Sequence, residues 1–73
     1  MYAEYVRTRI AELQKEQGIS NYKLSKDLGR NLSYMYDIHS GKSLPSMVEF
    51  FHICEYFNVT PLQFFGGDGS NVQ

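Results

Sequence analysis

The chain predicts an all-α fold in a single domain. Three observations carry that expectation: apolar residues recur at spacings of three and four, glycines stand where those apolar stretches end, and no segment alternates with period two. Its 73 residues, 42% hydrophobic and 15% aromatic, suit one globular core rather than a disordered chain. A domain of this length buries only about 60% of its unfolded surface, so its helices must pack efficiently or find a partner.

The first helix is predicted at about 3–17. Val6, Ile10 and Leu13 form its apolar stripe, and Gly18 ends it in the left-handed conformation. Ser20 or Asn21 caps a second helix, 21–28, whose Leu24 and Leu28 share one face before Gly29. Asn31 is a suitable cap for a third helix, 32–39, in which Leu32, Met35 and Ile38 repeat at spacing three and Gly41 follows the end. Pro45 and Ser46 lead into a fourth helix, 46–57, with Met47, Phe50, Phe51, Cys54 and Phe57 on a broad apolar face. Asn58 allows a turn, and Thr60-Pro61 is a cap followed by proline at the first helical position of a short fifth helix, 61–65. The domain thus occupies 1–65, and the polar, glycine-rich residues 66–73 read as a disordered tail. There is no internal repeat and no linker to a second domain.

The second and third helices have about two turns each, too few to be stable alone in water. Docked on the others, they leave their outer faces free to read something, which is the logic of a helix-turn-helix with its second helix in the DNA major groove. The stretch from Ser20 to Pro45, SNYKLSKDLGRNLSYMYDIHSGKSLP, carries Ser20, Leu24, a small residue at Ser25, Leu28-Gly29, Ser33, Met35, Ile38, Gly41-Lys42 and Pro45, followed later by FFHICEYFNVTPLQFF. This ordered set resembles the Cro/C1-type (XRE) family of helix-turn-helix DNA-binding proteins from about Arg9 to Phe65. The resemblance implies a five-helix lambda-repressor-like DNA-binding domain that regulates transcription, most often as a repressor. Three positions depart from the family's habit: Asn21 where glutamine is frequent, Arg30 where an aliphatic residue is frequent, and His39 where a glutamate is frequent.

If the third helix starts at Leu32, Met35 and Ile38 point inward while Ser33, Tyr34, Tyr36 and Asp37 project outward. Ser33 can donate or accept at several bases. Tyr34 and Tyr36 offer a hydroxyl to a phosphate or base edge and a ring to a thymine methyl, and Asp37 can accept from a cytosine amino group. The plain alternative is a set of solvated residues, with the tyrosines packing along the second helix or at a dimer contact. Asp37 stands between the two readings, because a carboxylate near DNA is repelled. Leu32 is either a staple against the core or an apolar base contact. Backbone contacts fall to Asn21, Tyr22, Lys23, Ser40 and Lys42. Asn21 opens the second helix and can grip a phosphate, and Lys42 reaches the flanking strand from just past the third. Arg30 is expected to be exposed in the turn, within reach of a phosphate.

Net charge is -1, yet from Ser20 to Lys42 the cations Lys23, Lys26, Arg30 and Lys42 exceed Asp27 and Asp37 to give +2, leaving -3 elsewhere. That distribution fits modest, oriented phosphate binding and argues against a nonspecific nucleic-acid coat protein. An enzyme is not expected. His52 and Cys54 diverge on their helix, and His39 has only Asp37 near it in sequence. There is no glycine-rich phosphate loop and no pair of metal ligands at working spacing, so neither cofactor nor metal nor small-molecule ligand is implied. The lone cysteine, Cys54, excludes an internal disulfide and reads as a small core residue. No signal-like start and no membrane-length apolar stretch is present, which points to a cytoplasmic protein.

Two partners follow. Double-stranded DNA is the first, and a second copy of the chain is the other, since one recognition helix reads only a few base pairs and symmetric pairs on inverted half-sites are common. Tyr56, Leu62 and Phe65 are the candidates for the self-contact of this homodimer; the resemblance implies that Phe64, at the family's core position, turns inward. The alternative is that they fold back over the first helix of a monomer. A different functional class also fits: a protein-interaction module of the same fold, antitoxin-like or phage-derived. The third helix lacks the Arg, Lys, Gln and Asn that make bidentate base contacts, and an aromatic outer face can serve as a protein hot spot.

Overall fold

Short-range chemistry sets where each helix begins and stops. In the computed structural model, which describes residues 2–66, the order is α1 (Tyr2–Gln17), α2 (Asn21–Asp27), α3 (Tyr34–His39), α4 (Met47–Phe57) and α5 (Pro61–Gly66). Ser20 accepts from the Lys23 N–H to cap α2. At α4, Ser46 and Glu49 cap each other's backbone in a capping box. Thr60 and Gln63 repeat that reciprocal arrangement around Pro61 at α5. Four helices stop in the same manner: Ile19 donates to Gln14 O, Arg30 to Ser25 O, Lys42 to Asp37 O and Val59 to Cys54 O. Each such bond requires a left-handed residue just before the donor. Glycine supplies it at 18, 29 and 41, and Asn58 does so at φ 59°. The expectation for the glycine-rich end concerns residues that, after Gly66, lie outside the described residues.

The third helix starts two residues later than its apolar spacing suggested. The Asn31 carboxamide oxygen accepts from both the backbone N–H and the hydroxyl of Ser33, and Tyr34 N–H closes a turn on Asn31 O. Asn31 therefore caps a turn ahead of α3, not α3 itself, and Leu32 is left 53% exposed on that turn rather than stapled to the core.

The core draws Ile10 and Leu13 from α1, Leu24 from α2, Met35 and Ile38 from α3, Phe50, Ile53, Cys54 and Phe57 from α4, and Phe64 from α5. On α4 the buried arc is turned from the expected one, toward Ile53. Phe50, Ile53, Cys54 and Phe57 fall within about 100° of one another at 3.6 residues per turn, which carries Met47 and Phe51 to the rim. Ile53 enters the core in their place. Phe64 meets Phe50 edge-on with ring centroids 4.9 Å apart. From α1, Arg9 donates to Phe64 O at 2.8 Å and the Tyr5 hydroxyl donates to Phe65 O, so the last carbonyls of α5 are satisfied by the first helix. Cys54 is a buried free thiol, and burial pushes its pKa up. Among the described residues there is no strand, no helix long and apolar enough to cross a membrane, and no group of three His, Cys, Asp or Glu side chains able to hold a metal ion.

Candidate nucleic-acid interface

A buried serine joins α2 to α3. Ser25 is fully buried on α2, and its hydroxyl oxygen accepts from the Met35 N–H at 3.0 Å. That N–H lies in the first turn of α3, where no helical carbonyl is available and Ser33 makes no side-chain cap bond. The start of α3 is thus completed by a side chain of α2. Met35 and Leu24 are fully buried as well, so this contact lies inside the core.

Glu49 ties the same region to α4. Its Oε1 accepts from the Tyr34 hydroxyl at 2.8 Å and from the Ser46 N–H, while its Oε2 meets Arg30 Nη2 at 2.5 Å. The Arg30 guanidinium also lies over the Tyr34 ring, 5.2 Å from its centroid. The hydrogen bond from the Ser46 backbone, with Tyr34 and Arg30 behind it, holds the Glu49 carboxyl below the usual carboxylate range. Tyr34 is shifted the other way, far above the ordinary phenol value, by its own burial and by the carboxylate it serves. A second tyrosine–carboxylate contact lies nearby: Tyr56 donates to Asp27 Oδ2 at 2.6 Å, and Lys23 Nζ sits 3.0 Å from the same oxygen.

On α1, Gln14 is a buried polar residue between the two ends of the α2–α3 unit. Its Nε2 donates to Ile19 O at 3.1 Å and to Asn21 Oδ1 at 2.9 Å, and its Oε1 lies 2.7 Å from His39 Nε2. Arg7, also on α1, donates to the carbonyls of Ile38 and Ser43. With a histidine at 39, no carboxylate of that residue competes for the arginine, which instead serves carbonyls at and after the end of α3.

The predicted residues do not share one environment. Tyr36 is 62% exposed on the outer side of α3, with Leu32 and Ser33 exposed on the turn before it and Lys42 exposed just after it. Asn21, Tyr22, Lys23 and Ser40 are exposed at the adjoining ends of α2 and α3, although the Lys23 ammonium is paired with Asp27 and the Ser40 hydroxyl donates to Asp37 O. Asp37 is half-buried. Tyr34 departs from its expected outward course: four residues before the buried Ile38, it lies beside the inward stripe of α3, where it meets Glu49 of α4 and the Arg30 guanidinium from the turn before α3. Tyr56 departs likewise: it faces Asp27 on α2, whereas Leu62 and Phe65 stay exposed on α5. Ser25, Glu49, Gln14 and Arg7 carry the geometry through contacts between elements. Only the Ser46–Glu49 spacing, a recognisable capping box, was open to a sequence-level reading.

His39 gives the unit a pH dependence. Burial, and then the charge of Arg7, hold its imidazole below the ordinary value of 6.5. In the window just under pH 6.5 the unfolded chain therefore binds more protons, so stability is complete above that value and falls as pH drops. The depressed carboxyls of Glu49 and Asp27 contribute a second loss, at pH below the ordinary carboxylate range. His39→Gln is expected to remove the first step and keep the second. Urea midpoints measured from pH 7 to pH 3 check this, and identical profiles for the two proteins would contradict it.

Comparison of the chain with models of protein families, with curated proteins and with solved structures finds no match.

Proposed function

We propose that this chain binds double-stranded DNA sequence-specifically and regulates transcription, acting as a repressor, with α3 in the major groove in the manner of the Cro/C1-type helix-turn-helix proteins it resembles. The observation that carries the reading is the way α3 is held. Met35 and Ile38 are fully buried, Ser25 completes its first turn, and Glu49 braces it from α4, which leaves Tyr36 outward between Ser33 and Lys42. A six-residue helix so fixed from three sides presents a rigid surface, as base reading requires. Leu32, Ser33 and Tyr36 are the base-contacting set, with Asp37 at its margin. Asn21, Tyr22, Lys23, Ser40 and Lys42 face phosphates, and Tyr34 acts by supporting the helix.

Lys42→Ala is expected to weaken binding about equally for all sequences and to flatten the log–log salt dependence by about 0.9, one phosphate's share. Tyr36→Ala should instead change which sequences are selected from a random pool. An unchanged salt slope in the first variant, or an unchanged selection profile in the second, would remove that residue from the contact.

On DNA the reading implies a symmetric pair joined through Leu62 and Phe65. Phe65→Ser is expected to abolish self-association in sedimentation and to lower apparent DNA affinity. A wild type that stays monomeric at high concentration and binds one-to-one would exclude the pair.

One observation favours a second reading, a protein-interaction module. Leu44, Met47 and Phe65 are exposed around an apolar groove completed by Val6, Pro45 and Phe50, on a different surface from Tyr36. The inward course of Tyr34 meanwhile reduces the aromatic character of the α3 face itself. Binding to a protein partner that leaves α3 uncovered, with no affinity for any duplex, would favour that reading.

A further inference from the structure

We infer that Gln14 is a positioning residue that fixes which end of the Asn21 carboxamide faces outward and which nitrogen of His39 carries the proton. The inference rests on the DNA reading for its consequence but not for its geometry. Ile19 O is a backbone carbonyl and can only accept. The group 3.1 Å from it must therefore be the Gln14 NH2, which places the Gln14 oxygen toward His39. From there both neighbours are determined. The second Gln14 N–H points at Asn21 at 2.9 Å, so the Asn21 atom receiving it is the oxygen, and Asn21 Nδ2 is the end left facing solvent. The Gln14 oxygen can only accept, so the 2.7 Å contact requires a proton on His39 Nε2 and leaves Nδ1 of the neutral ring bare.

The amide of Gln14 is buried, and turning it over would set its oxygen against Ile19 O and Asn21 Oδ1, leaving the Gln14 amide and the Ile19 carbonyl without their partners, while the neutral His39 ring would follow by moving its proton to Nδ1. Asn21 itself is exposed, and nothing on its outer side would choose between its two ends. The choice is made from behind, by a residue that touches no DNA. Its effect is to present a donor, not an acceptor, to a phosphate oxygen at the start of α2. The same side chain links that point to the end of α3, so the two flanks of the reading helix are referred to one atom group on α1.

The test combines two measurements. In the free wild-type protein at pH above 7, long-range nitrogen–proton NMR correlations should show His39 as the Nε2–H tautomer; a majority of the Nδ1–H form would overturn the inference without any use of DNA. Gln14→Glu should then replace the donor behind Asn21 with an acceptor, turn the Asn21 oxygen outward and raise the His39 pKa. In the wild-type background Asn21→Ala is expected to weaken duplex binding about tenfold, the loss of one charge-assisted hydrogen bond. In the Gln14→Glu background the same change should weaken it not at all. Equal losses in both backgrounds would overturn the inference. A wild type that binds no duplex would end the DNA reading instead, and the His39 tautomer would still decide the role of Gln14.

Discussion

Phe64→Ala is expected to remove a large share of the chain's stability, on the order of half of it. The side chain is fully buried, packs edge-on against Phe50, and is the one buried side chain that α5 supplies. Truncating a buried phenylalanine costs about 3–5 kcal/mol, while a chain of this length has a total stability on the order of 4–11 kcal/mol. The loss also frees α5 from α1, since the carbonyls that Arg9 and Tyr5 engage belong to Phe64, Gln63 and Phe65. Phe65→Ala, one residue away but 47% exposed, is expected to cost far less. Urea denaturation followed by circular dichroism separates the two, and similar midpoints for both variants would contradict the placement of α5.

Ser25→Ala is expected to cost about 1–3 kcal/mol, more than a buried Ser→Ala change in a helix interior with no outside partner. The reason is asymmetric. The alanine itself is a good helix residue, but the Met35 N–H is left buried without an acceptor. The damage should therefore concentrate at the start of α3. Native-state hydrogen exchange is the suitable measurement: the Met35 amide should lose protection well beyond the drop shared by the core amides of α1 and α4. A uniform drop would mean that Ser25 contributes general packing and does not complete α3.

How much of this was readable in the sequence follows from the range of the interactions. Helix ends were legible because they depend on neighbours within a few residues: Gly18, Gly29 and Gly41 stop their helices as their positions suggested, and Thr60-Pro61 opens α5. The start of α3 was misplaced for the same reason in reverse. Asn31 satisfies its local capping preference on a preceding turn, and the group that does complete α3 sits ten residues back on α2. Period counting on α4 set the buried arc off to one side: it took in Met47 and Phe51, which stand exposed, and left out Ile53, which is fully buried, because these residues are equally apolar. Within the candidate interface, exposure was readable for Tyr36, Tyr22 and Lys42. The inward course of Tyr34 was signalled by its place four residues before Ile38, but its partners were not, since Glu49 is 15 residues away and Arg30 reaches the ring from the preceding turn. The Gln14–Asn21–His39 chain joins three polar residues from three elements, and no spacing rule connects them.

The central claim is that the outer face of α3 reads duplex DNA. Its most direct test is binding of the purified chain to a pool of random duplexes across a salt series, with sequencing of what is retained. The account predicts weak binding with a shallow salt slope from a few phosphates, and enrichment of a short motif that Tyr36→Ala alters. Absence of binding at low salt, or retention that is indifferent to salt and enriches no sequence, would contradict it.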